Sequence, residues 1–121
     1  MRPADVEAAF LAVLPAPAAT RVPQARPASF TRVSRIGGGR TNVVQSRPNL
    51  LIECWAPDDL SALIRACDAW EAINAAQHSE RAGVWLGGID LSEPVAYPDP
   101  DAPGQFRYQF TAAAVVALTL T

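Results

Sequence analysis

From Phe106 to Leu120 the chain alternates strictly. Phe106, Tyr108, Phe110, Ala112, Ala114, Val116, Leu118 and Leu120 fall on one side, and Arg107, Gln109, Thr111, Ala113, Val115, Ala117 and Thr119 on the other. A period of two over this length cannot place an apolar stripe on a helix. It requires one long strand with one apolar face, and such a strand needs partners on its edges and a layer over that face. The other segments are therefore read for what they can supply to a sheet.

Leu50–Ala56 reads as its central partner. Leu50, Ile52, Cys54 and Ala56 form one apolar face, and Leu51, Glu53 and Trp55 form the other. Phe30–Ile36 is a further strand with imperfect alternation, which allows a bulge, and Gly37-Gly38-Gly39 reads as the hairpin turn after it. Val84–Leu91 is another strand, weakened at Gly87-Gly88, and a short strand is expected at Thr20–Val22. Pro57-Asp58-Asp59 opens a helix with Asp58 as N-cap, running to about residue 77. Its expected repeat is Leu60, Leu63, Ile64, Cys67 and Glu71, with Trp70 and Ile73 beside it, and Gly83 ends the segment. Val6, Phe10 and Val13 or Leu14 mark a shorter helix over about residues 4–14, stopped by Pro15 and Pro17. Asp5 and Glu7 argue against reading this stretch as a secretion leader. Residues 15–28 and 92–104 are proline-rich connections. The expected fold is α+β: a mostly antiparallel sheet of 4–5 strands with two helices packed on one face, in a single domain over residues 1–121.

Charge is unevenly spread along this frame. All ten basic residues are arginine, and the net charge is −2. Residues 8–52 carry six arginines and no acid, whereas residues 53–121 carry ten acids against three arginines. Two readings follow: either the halves neutralise each other within one fold, or the protomer presents a positive and a negative surface suited to head-to-tail association.

No constellation of catalytic or metal-binding residues stands out. His78 is the only histidine and sits at a helix end. Gly37-Gly38-Gly39-Arg40 lacks the spacing and the lysine of a phosphate loop. Asp99-Pro100-Asp101 lacks the ligand count of a calcium loop. Cys54 and Cys67 lie in apolar stretches and are expected to be buried free thiols. No apolar run is long enough for a membrane span, and no cofactor is expected.

Three stretches nevertheless form a familiar set. They are Phe30-Thr31-Arg32-Val33-Ser34-Arg35-Ile36-Gly37-Gly38, Arg47-Pro48-Asn49-Leu50-Leu51-Ile52-Glu53-Cys54-Trp55-Ala56, and Tyr97-Pro98-Asp99-Pro100 followed by Arg107-Tyr108-Gln109-Phe110-Thr111. Together they resemble the small tail terminator (tail-completion) proteins of long-tailed phages that infect actinobacteria, over about residues 28–112. The resemblance implies a virion structural protein with no enzyme activity, assembled in the host cytoplasm. Such proteins form a ring, generally a homo-hexamer, at the head-proximal end of the tail. The ring stops polymerisation of the tail tube protein and offers a surface to the head-tail connector (stopper) protein. Genome DNA passes through its lumen without specific binding. On this reading Arg32, Arg35, Arg40 and Arg47 are candidate interface residues toward a neighbour or the tube, with Asp99 and Asp101 as acidic contacts. The alternatives are a head-completion or connector ring protein and a small cytoplasmic α+β ligand-binding dimer.

Overall fold

A computed structural model describes residues 1–120. In chain order the elements are α1 (Val6–Leu11), β1 (Ala18–Ala19), β2 (Phe30–Arg40), β3 (Gln45–Ala56), α2 (Asp59–Ala75), β4 (Ser79–Arg81), β5 (Val84–Leu91), β6 (Val95–Ala96) and β7 (Phe106–Ala117). The strands form one sheet in the order β1-β2-β3-β7-β5-β4, with β6 also beside β7. Every pairing is antiparallel except β1 with β2. The fold is thus α+β with two helices, but the sheet is mixed and larger than the expected 4–5 strands. The additions, β4 and β6, are three and two residues long, too short to leave a hydrophobic period. The sheet curls, so that α1 lies against both β2 and β4.

The long alternating segment is β7, paired with β3 on one side and with β5 and β6 on the other. It ends at Ala117 rather than Leu120, and Thr119 then bridges to Arg2. Its apolar face (Phe110, Ala112, Ala114 and Val116) joins Val33, Leu50, Ile52, Cys54, Leu86 and Ile89 in the main core beneath the helices. β3 is central, as its pattern requires, and its ladder with β7 skips Arg47 and Pro48. Proline has no N–H to give there.

Asp58 caps α2, accepting a 2.8 Å hydrogen bond from the Ser61 N–H. The buried face of α2 departs from the expected one: it is Ala62, Ala66, Ala69 and Ile73. Leu60 and Ile64 are 64% and 51% exposed, and Cys67 is exposed as well. The sheet face is already filled by Leu50, Ile52 and Phe110, so a helix with small residues can settle close upon it. Leu60 and Ile64 are left outside, while Ile73 enters the core and Trp70 packs at its edge. α1 is shorter than the apolar repeat suggested; Asp5 accepts from the Ala8 N–H at its start, and Val6, Ala9 and Phe10 enter the core.

Three local features also fall elsewhere than expected. The strand near residue 20 is Ala18–Ala19, two residues before the expected Thr20–Val22; just ahead of it, the Thr31 N–H donates to the Pro17 carbonyl at 3.1 Å. Gly37-Gly38-Gly39 is not the hairpin turn but part of β2, beyond the anticipated bulge between Arg35 and Gly37. The turn lies at residues 41–44, where the Asn42 side-chain oxygen accepts from the Val44 and Gln45 N–H groups at 2.9 and 3.0 Å. An asparagine closing its own turn in this way competes well with glycine. Gly83 does not end the helix. With Ala82 it forms the two-residue turn of the β4–β5 hairpin, at φ values of 77° and 49°. This is the mirror-image turn that suits the twist of a hairpin.

Gly38 shows what the glycine run is for. Its φ is +100°, and a Cβ there would overlap the Arg47 carbonyl oxygen and come within 2.6 Å of the Pro48 Cα. Gly38→Ala is therefore expected to cost about 1–3 kcal/mol and to loosen the hairpin. Faster hydrogen exchange confined to residues 37–49 checks it; exchange unchanged there contradicts it.

Candidate functional site

The most concentrated chemistry lies on the face of the sheet away from the helices. Register sets Arg32 opposite Glu53 on one side of β3 and Arg107 opposite Trp55 on the other. Glu53 is buried and accepts from both arginines, from Arg32 Nε at 2.8 Å and from Arg107 Nη1 at 2.9 Å. Arg107 also donates to the Tyr97 carbonyl at 2.7 Å and lies 3.8 Å from Asp99. Asp99 accepts from the Trp55 indole N–H at 3.0 Å, from Arg26 at 3.3 Å and from the Asp101 backbone N–H at 3.0 Å. The Arg26 and Arg107 guanidinium groups both lie close to the Trp55 ring, 5.0 and 5.7 Å from its centroid, with Phe30 packed alongside. Gln105 donates to the Pro27 and Ala28 carbonyls, both at 2.9 Å. The cluster thus clasps the 97–105 loop and the 26–28 connector onto the sheet. Partial burial pushes the Asp99 carboxyl up. The hydrogen bonds from Asp101 and Trp55, with Arg107 and Arg26 nearby, outweigh this and hold it below the usual aspartate value.

The candidate interface residues are not brought together into one patch. Arg32 and Asp99 belong to the clasp. Arg35 turns to the helix side, donating to the Ala4 carbonyl at 2.7 Å, while its own N–H meets Glu7. Arg47 pairs with Asp90. Asp101 contributes its backbone N–H to the Asp99 turn. Arg40 is exposed at the end of β2 and, among the described residues, its side chain makes no ion pair or hydrogen bond. The two oppositely charged halves of the sequence therefore meet within the protomer, at Arg32–Glu53, Arg47–Asp90 and Arg26–Asp99. Sequence reasoning did not single out Glu53, Arg26, Trp55 and Arg107 as one unit. The available signal was Glu53 itself, an acid inside a central strand, which demands a cationic partner.

The two cysteines differ. Burial pushes the Cys54 thiol up to about 11, whereas Cys67 is exposed on α2, contrary to the expected burial of both. One thiol is expected to react with a disulfide reagent in the native protein and two in denaturant. Two fast native thiols contradict this arrangement. His78 lies in the turn after α2 with φ of 58°. Among the described residues no group of three or more His, Cys, Asp or Glu side chains is placed to hold a metal ion, and no helix is long and apolar enough to cross a membrane. Compared with known proteins, the chain matches no family model and no curated relative.

Proposed function

We propose that the chain is the subunit of a phage tail terminator: a ring, generally of six copies, that caps the head-proximal end of the tail tube. In this role it halts addition of tube protein and presents a surface to the connector, while DNA crosses the lumen without being held. The observation that carries the reading is where the three resembling stretches lie. Phe30–Gly38, Arg47–Ala56, Tyr97–Pro100 and Arg107–Thr111 are β2, β3, the clasped loop and β7, adjacent in space. Five of their charged and aromatic members, Arg32, Glu53, Trp55, Asp99 and Arg107, are spent on one another. A motif used up in holding its own strands and loop is what a structural subunit needs, and it supports a scaffold role.

The reading is tested on tubes. Purified chain added to polymerising tail tube protein is expected to stop elongation and to appear as extra density at one tube end. Tubes that grow at the same rate and to the same length with and without it contradict the reading.

A further inference from the structure

Once the internal ion pairs are formed, several exposed charged side chains are left over, Arg21, Asp68 and Glu80 among them, and three others stand beside exposed apolar surface. Arg40 has no partner among the described residues, and neither have Glu71 and Glu93. The two glutamates border a groove of about 340 Å³ between α2 and the chain at Glu93–Pro94, with Leu63, Cys67 and Trp70 as its apolar floor. The Trp70 indole N–H donates to the Ser92 carbonyl at 3.0 Å and fixes that wall.

The β2–β3 hairpin has the complementary chemistry. Val43 is 77% exposed and Val44 48%. Arg40 precedes them, and residues 8–52 contain no acid to oppose the two glutamates. The Asn42 bonds hold the tip in shape before any contact, which lowers the ordering cost of docking. A molecule's own tip does not reach its own groove. The tip is level with Ala117 of β7, and the groove with Thr111, whose carbonyl accepts from the Ser92 N–H. Six residues of strand separate them, about 20 Å.

We propose that this groove receives the β2–β3 hairpin tip of a second copy of the chain, with Val43 and Val44 on the Leu63–Cys67–Trp70 floor and Arg40 between Glu71 and Glu93. The contact joins two different surfaces, so it propagates head to tail and can close into a ring. It deepens, and in that sense rests on, the ring reading above.

Cys67 supplies the test, because it lies on the groove floor while Cys54 is buried. In full-length Val43→Cys, mild oxidation is expected to yield a ladder of covalent multimers that disappears when Cys67→Ser is added. Arg40→Glu and Glu71→Arg are each expected to weaken self-association about tenfold at low salt, and their combination to restore most of it. Oligomers that form without the 43–67 bond and ignore Arg40→Glu overturn the inference and leave the ring reading standing. Covalent dimers alone, the mark of a two-fold contact, overturn it too, as does a chain that stays monomeric. A ladder from a protein that fails to stop tube growth keeps the contact and removes the terminator reading.

Discussion

Glu53→Gln is expected to lower the free energy of unfolding by about 3–5 kcal/mol, the range for breaking a buried ion pair by removing one partner. The Glu53 side chain is 4% exposed and Arg107 only 11%. Glutamine keeps the shape but not the charge. Arg107 is then left desolvated with Asp99 at 3.8 Å as its nearest anion. Arg32 is the more exposed partner, so Arg32→Gln is expected to cost clearly less. Urea denaturation of the three proteins checks the order, and a melting shift on the order of 10 °C is expected for Glu53→Gln. A loss below about 1 kcal/mol, the level of a surface pair, contradicts the account of the cluster.

Trp55→Ala is expected to cost about 3–5 kcal/mol as well, by a different route. Trp55 is the centre of the second, smaller core with Phe30 and Ala102, and its indole N–H anchors Asp99. Its loss removes both the surface under the 97–105 loop and one of the bonds to that carboxylate. Limited proteolysis is expected to cut within residues 97–105 in the variant and not in the wild type. The pH dependence follows from the same bond. Asp99 is held below its ordinary value, so its contribution to stability is complete above about pH 4 and is lost as the pH falls through its folded value. With the Trp55 bond gone, the acid loss of stability below about pH 4 becomes shallower. A variant as resistant to protease as the wild type, with the same acid limb, contradicts the clasp.

The strands were legible where the side chains alternate against a buried face. β7 and β3 declare themselves because Phe110, Val116, Leu50 and Ile52 recur at a period of two and all reach the core. The hidden parts have identifiable causes. β4 and β6 are too short to carry a period, and β1 is displaced by two residues from the expected Thr20–Val22. The face of α2 differs from the expected one because hydrophobicity ranks Leu60 and Ile64 above Ala62 and Ala66, while the helix packs on the sheet through three alanines and Ile73. The glycine triplet suggested a turn, yet close approach to Pro48 is the stronger demand at Gly38, and Asn42 closes the turn instead. Of the candidate site residues, position along the chain gave the arginines but not their partners. Arg32–Glu53 and Arg47–Asp90 depend on strand register, and Arg26–Asp99 on the packing of two proline-rich connections, neither of which a charge count contains. Arg40 remains the one arginine of the hairpin that is still available to another molecule.

Electron microscopy of lysates from a phage lacking this gene is the most direct test of the terminator account. The account predicts overlong tail tubes beside separate, filled heads, with normal particles restored when the chain is supplied in trans. Tails of normal length beside filled heads would contradict it and move the protein to the head side of the joint. Intact infectious particles would remove it from that joint altogether.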